Sequence, residues 1–336
     1  MHPVNSLRHP VMSKLSVVDI SVLMYHYVRP LNTRWSERHN VLVLEDFRKQ
    51  LDHLQKTHQV ISASGVLERL SGRAEASTDP RPLVWLTFDD GYSDCIRYVL
   101  PELVARGMTA SFLVPTAAVW DRILLDVNKI HLILALAPSS ADVVAEIRHV
   151  WKRLNLRSVQ QEDFEAAFER LGFVNAWNDA CSHFAKRILQ KELLVQDRQR
   201  LLDRLMDVFV GESEQVHAND LYLMPVDLLE LERAGMDVGS HGHEHKWLGE
   251  CTSAEQHNDL QHSLLLLETV GLSYPRRVMS YPSGSYNSMT IETVRALGIE
   301  LGLVNDNALA SLQVGTGPWL QVSRIDPMFF DRYFSV

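Results

Sequence analysis

Pro82-Leu83-Val84-Trp85-Leu86-Thr87-Phe88-Asp89-Asp90-Gly91-Tyr92 constrains this chain more than any other stretch. Pro82 to Leu86 is short, apolar without interruption and rich in strand-forming residues. Such a run predicts a strand buried on both faces, as in a parallel sheet covered by helices. Asp89 and Asp90 follow where that strand should end, and Gly91 permits a tight turn. In α/β folds, ligands and chemistry collect at the carboxyl ends of strands. Two neighbouring aspartates on an irregular strand end point in different directions, so one can hold a cation while the other serves as a base. The plain alternative is a solvated turn, because Asp-Asp-Gly is ordinary turn composition.

The 336 residues can bury a large core, as one α/β domain or as a domain with an insertion. A net charge of -9 argues against a general nucleic-acid binder, which needs a basic surface. It leaves room for an anionic small substrate held by a local Arg or Lys. Cys95, Cys181 and Cys251 form no CxxC pair, so neither a disulfide framework nor a thiolate zinc site is expected. Residues 1–16 show no apolar signal region or cleavage site, and no apolar run approaches the roughly 20 residues of a membrane span. The expectation is a cytoplasmic protein without a membrane span, its oligomeric state open.

Read in order, residues 1–18 form an arm and Val17 to Val28 a buried strand that Arg29-Pro30 breaks. His26 therefore falls near a strand end, at the level of the two aspartates. Leu44, Phe47, Leu51 and Leu54 predict an amphipathic helix over 44–57. Val60-Ile61 reads as a short strand, Ser64–Leu70 as a helix, Asp94–Arg106 as a helix and Thr109–Val114 as the next strand. From about 118 to 219 strand-like runs vanish and helical periodicity takes over, at 123–137, 141–154, 162–171 and 191–210. This stretch reads as a helical insertion: a lid, a substrate contact, an oligomer contact or an inert elaboration. The strand–helix rhythm returns with a helix from Pro225, a strand over 236–240, a helix over 253–270 that opens with a capping-box-like Ser253-Ala254-Glu255-Gln256, and strands at 277–281, 299–304 and 320–325. About eight strands alternating with helices predict a (β/α) barrel spanning 19–336, seven- or eight-stranded, complete or incomplete, with the 118–219 insertion.

His241, His243 and His245 follow a strand. On a helical turn His241 and His245 share one face; in an extended segment all three point the same way. Gly242 breaks the strand, which favours the first arrangement. Two imidazoles, one carboxylate and an open position for water compose a catalytic zinc site. The alternative is a polar His-rich turn.

Together, Thr87-Phe88-Asp89-Asp90-Gly91-Tyr92, Ser240-His241-Gly242-His243-Glu244-His245 and Ser280-Tyr281-Pro282-Ser283-Gly284 resemble the polysaccharide deacetylase (NodB-homology) domain of carbohydrate esterase family 4. The resemblance covers about 19–117 and 220–326. It implies that Asp90, His241 and His245 bind a divalent metal, Zn2+ first, with Co2+, Ni2+, Mn2+ or Fe2+ as substitutes. It also implies that Asp89 is the general base and that the backbone N–H of Ser283 stabilises an oxyanion. Two features depart from the family. Ser280 stands where an Arg is common, and no histidine occurs after Gly284 to supply the usual C-terminal acid. In one branch of the family that histidine lies on the first strand, and Leu23-Met24-Tyr25-His26 matches that arrangement, making His26 the candidate acid. Arg324, at the end of the last strand, is a candidate to orient Asp89, with a structural ion pair as the alternative.

The implied activity is hydrolysis of an N-acyl group, first of all N-acetyl, from an amino sugar or sugar conjugate, such as a cytoplasmic intermediate of glycan synthesis. Deformylation of a formamido sugar, hydrolysis of a non-sugar amide and a non-catalytic metal- or glycan-binding module are the alternatives. Trp35, Trp120, Tyr286 and Trp319 are candidates to stack on a sugar face, or are simply packing.

Overall fold

The structure, a computed structural model, describes residues 16–31, 41–73, 79–175 and 178–334. Its strands are β1 (Val17–Tyr25), β2 (Val28–Arg29), β3 (Leu42–Val43), β4 (Gln59–Val60), β5 (Leu83–Phe88), β6 (Ser111–Val114), β7 (Asp237–Ser240), β8 (Val278–Ser280), β9 (Leu301–Leu303), β10 (Ala310–Gln313) and β11 (Trp319–Val322). The main sheet runs β10-β1-β5-β6-β7-β8-β9-β11, with β4 beside the first half of β5. Every pairing in it is parallel except β1 with β10.

Past β11 the chain returns to β1. Ile325 N–H donates to Val22 O at 2.7 Å and Met24 N–H donates to Ile325 O at 2.9 Å, so the eight strands curl into a nearly closed barrel. The expected (β/α) barrel is present. Its eighth strand is β10, in a segment read from the sequence as loop, while the expected strand at Val60-Ile61 is only the two-residue β4 off the main path.

Strand period 2 sorts the core. Ile20 and Val22 of β1 pack with Trp85, Leu113, Val278, Leu301 and Val322. Leu23 and Tyr25 face the other way, onto Phe47, Leu51 and Leu54 of the helix Leu44–Thr57. Removing a side chain as enclosed as Leu51 costs about 2–5 kcal/mol. The helix after β7 starts at Ser253 as its sequence suggested and runs to Thr269, but its cap lies one residue earlier than expected: Thr252 accepts from Glu255 N–H, while Glu255 accepts from Thr252 N–H.

Between β6 and β7, ahead of the expected helix Pro225–Arg233 that packs on the barrel, lie the helices Asp126–Leu136, Ser140–Leu154, Phe164–Leu171, Ala180–Arg187, Val195–Phe209 and Glu214–Leu221. Ala180–Arg187 and Glu214–Leu221 were not expected; both are short, and Glu214–Leu221 also carries a weak apolar stripe. These helices pack around a core of their own, yet that core also takes in Tyr27 and Tyr92 from the barrel rim. Among the described residues, no single helix is long and apolar enough to cross a membrane.

Candidate metal centre and acid–base site

The two aspartates after β5 separate because the backbone changes hand between them. Asp89 prolongs the strand, its N–H donating to Tyr25 O at 2.9 Å. Asp90 takes φ 71, a left-handed conformation that costs a non-glycine residue about 1–2 kcal/mol. Gly91 follows at φ 64, where a Cβ would crowd Val114 Cγ1 at 3.2 Å. Asp90, His245 and Ser283 are all non-glycine residues with positive φ, at 71, 56 and 55 respectively. Strain of this kind persists where the surrounding structure enforces it, typically at functional sites.

Asp89 is buried and fully engaged. Arg324 grips it with two bonds, Nη1 to Oδ1 at 2.9 Å and Nη2 to Oδ2 at 2.8 Å. The guanidinium is itself buried, with Nε on Val304 O at 3.1 Å. Ser280 Oγ donates to Asp89 Oδ1 at 3.0 Å. Burial alone would raise the Asp89 pKa, but Arg324 and then His241 outweigh it, and the carboxyl is held below its ordinary value. Sequence reasoning saw in Ser280 only a missing Arg; in space Ser280 shares Asp89 with Arg324, which comes from the far end of the chain.

Asp90 is different. Its Oδ2 accepts from Tyr92 OH at 2.7 Å, but its buried Oδ1 has no hydrogen-bond partner. That oxygen faces His241 Nε2 at 3.5 Å and His245 Nε2 at 3.4 Å, beyond good N–H···O distances of about 2.7–3.2 Å. The three ligand atoms lie within 4.8 Å of one another. Metal bonds of about 2.0–2.2 Å in a tetrahedron separate ligand atoms by about 3.3–3.6 Å. The residues therefore fit a divalent ion, and the unpartnered carboxylate oxygen is what such an ion would satisfy.

His241 is oriented toward the same oxygen. Its Nδ1 lies 3.0 Å from Ser280 O and 2.6 Å from Ser280 Oγ, which leaves Nε2 directed at Asp90. Burial, its largest influence, pushes its pKa down to about 4, so the ring is neutral with a free lone pair near pH 7. The pair His241–His245 comes together as expected, with rings 4.9 Å apart, but not on a helical turn. The segment is a loop, bent by Gly242 at φ 72 and His245 at φ 56. Asp259 fixes it by accepting from His243 N–H at 2.8 Å and Glu244 N–H at 3.0 Å. His243 turns away, to Thr116 Oγ1 at 2.9 Å and onto the His262 ring.

His26 stands one residue past β1, half-buried, and its charge is among those that lower both Asp89 and Asp90. It lines a cavity of about 580 Å³ with Asp90, Tyr92 and, from the helical segment between β6 and β7, His131 and Lys186 on helices and Asn178 in a loop. A second cavity, about 660 Å³, is lined by His245, Ser283 and Trp247, again with those helices contributing Lys129, Gln190 and Arg198. In the turn at Ser283, Gly284 N–H and Ser285 N–H donate back to Tyr281 and Pro282, whereas Ser283 N–H is not used.

Trp120, Tyr286 and Trp319 line neither cavity, and Trp35 lies outside the described residues. Trp319 Nε1 donates to Gln313 O, and Tyr286 packs on Tyr281. The aromatic side chain at the second cavity is Trp247, with Lys191 Nζ 4.8 Å from its ring centre. Tyr92, which bonds Asp90 Oδ2, was given no role by sequence reasoning, and Asn128 and Tyr222, linked to it in turn, escaped it. The only signal was a polar Asn inside an apolar helix.

Residues 206–302 match the sequence model of the family described as polysaccharide deacetylase. No curated protein matches the chain in sequence. Among solved structures, the fold is similar to a Streptococcus pyogenes deacetylase, PplD, in complex with acetate, at 18% identity and TM-score 0.55 over 93% of each chain. It is also similar to IcaB from Ammonifex degensii, at 16% identity and TM-score 0.55 over 95% of this chain and 96% of that one. A de-N-acetylase from Aggregatibacter actinomycetemcomitans aligns at 14% identity and TM-score 0.53 over 92% and 95%.

Proposed function

We propose that this chain, which resembles the polysaccharide deacetylase family in its motifs, its family-model match and its barrel, is a metal-dependent hydrolase that removes an N-acetyl group from an amino sugar. The observation that carries the reading is the contrast between the two aspartates. Asp90 leaves one buried oxygen unpartnered before two imidazoles, while Asp89 beside it is clamped by Arg324.

Asp90, His241 and His245 would hold the ion, with Zn2+ the first choice for this donor set and Co2+, Ni2+, Mn2+ or Fe2+ able to replace it. When bound, the ion supplies Lewis acidity that lowers the pKa of water and polarises an amide carbonyl. Asp89, kept ionised and fixed in direction, takes the proton from the attacking water. Ser283 N–H donates to the carbonyl oxygen as negative charge develops there. His26 gives a proton to the departing nitrogen, so that amide and water become carboxylate and amine. The helices between β6 and β7 form walls of both cavities, and we assign them substrate choice rather than chemistry.

The test is release of acetate from N-acetylated glucosamine oligomers and from nucleotide- and lipid-linked N-acetyl amino sugars, with and without a chelator. The same panel separates polymer from carrier-linked substrates. Chelator-sensitive acetate release is the expected result. Formate release from formamido analogues alone would make it a deformylase, and no release from metal-loaded protein would make it a binding module.

A further inference from the structure

The helices between β6 and β7 contain a buried polar node that reaches the metal centre. Asn128 lies on the helix Asp126–Leu136 and is fully buried beside Ile130, Leu132 and Ile133. Three tyrosines surround its amide. Nδ2 lies 2.7 Å from Tyr27 OH and 2.8 Å from Tyr92 OH, and Oδ1 lies 2.5 Å from Tyr222 OH. The Tyr92 hydroxyl in turn lies 2.7 Å from Asp90 Oδ2. The Tyr27 and Tyr92 rings stack with centres 4.0 Å apart, which fixes where the hydroxyls sit.

The proton directions follow from donor counting. An ionised Asp90 can only accept, so the one proton of Tyr92 points at Asp90 Oδ2. The Tyr92 oxygen must then accept from the amide, which turns Nδ2 toward Tyr92 and Tyr27. Oδ1 is left for Tyr222, whose proton it accepts, while Tyr222 OH itself accepts from Leu125 N–H at 3.1 Å. With the amide turned over, Tyr92 would face two acceptors with one proton.

We propose that Asn128 is a positioning residue for the metal centre: it holds Tyr92 with its proton on Asp90 Oδ2, and so keeps Oδ1 aimed at His241 and His245. This rests on the metal reading above and adds that the affinity for the ion is set partly from the helices outside the barrel. A purely structural Asn128 would satisfy buried hydroxyls and leave the metal centre unchanged.

The experiment uses the full chain, stripped of metal and titrated with Co2+ against a chromophoric chelator, with the visible absorption of bound Co2+ recorded. Asn128→Leu keeps the volume, stays uncharged and releases Tyr92. Its Co2+ dissociation constant is expected to rise about 10-fold, the lower end for losing an outer-shell partner, with a changed absorption band. Tyr222→Phe frees the amide to turn over and is expected to weaken Co2+ several-fold; it serves if Asn128→Leu does not fold. A variant with a lowered thermal midpoint but wild-type Co2+ affinity and spectrum would assign Asn128 to the fold alone and overturn the proposal. Wild-type protein that takes up no Co2+ would overturn the metal reading and this proposal together.

Discussion

The barrel rim and the helices between β6 and β7 handle their polar groups and backbone differently. At the rim, Asp90, His245 and Ser283 adopt left-handed conformations, and Asp89, Asp90, His241 and Arg324 are buried polar residues. Among the helices, the left-handed residues Arg122 and Asn155 sit at helix ends, and Gln161 lies in the loop ahead of the helix Phe164–Leu171. Asp163 and Asp179 cap their helices in the ordinary way. One region accepts strain and desolvation to fix a few atoms; the other uses ordinary helix rules to fill space. They meet at Tyr27, Tyr92 and Tyr222, where the amide of Asn128 is enclosed.

Four measurements would break or sharpen that contrast. The largest effect is expected at the rim, from Asp89→Asn. Hydrolysis should fall about 10²–10⁴-fold while metal content is kept. The variant also leaves Arg324 buried without its counter-charge, so unfolding free energy should drop by about 3–5 kcal/mol. Retained activity would move the base elsewhere. Next, His26→Ala should lower turnover about 10²-fold with metal content intact, and full activity would remove it as the acid.

A third measurement is pH dependence in the metal-free protein. The His241 pKa is about 4 in the fold against roughly 6.5 when unfolded, so its contribution is complete above 6.5 and lost as pH falls toward 4. The loss is on the order of 3 kcal/mol. Asp89 and Asp90, both lowered, hold their contributions through this window and lose them only below about pH 4. Burial lowers His58 and His243 too, so the quantity to compare is the slope of wild type against His241→Ala in urea unfolding. Equal slopes would contradict a buried neutral His241.

The smallest effect is expected from Lys186→Met, in the wall of the His26 cavity. KM or the ranking of sugars should shift several-fold, with metal content unchanged. An unaltered ranking would argue that these helices do not select substrate.

Much of the barrel was legible because buried parallel strands leave continuous apolar runs and their ends leave polar clusters in the sequence. The helix Leu44–Thr57 matched its apolar spacing residue for residue. β10 was missed because a four-residue strand, Ala-Ser-Leu-Gln, carries too little pattern to stand out from a loop. The His241–His245 pair was found by assuming a helical turn, whereas left-handed residues and Asp259 bring the rings together. Among the aromatic candidates the sequence offered no way to choose, since stacking depends on which cavity a ring faces.

The neighbouring Asp89 and Asp90 were recognisable from sequence as two carboxylates with different directions, because a strand end and a glycine are local features. Which carboxylate is clamped and which is left open is not local. Arg324 arrives from 235 residues away, and Asn128 reaches Asp90 through Tyr92 from another helix core. Hydrogen bonds and ion pairs act over a few ångströms of space, whatever the separation along the chain. The sequence therefore determined which residue types gather at the rim, and the closing of the barrel under its helices decided what each one does.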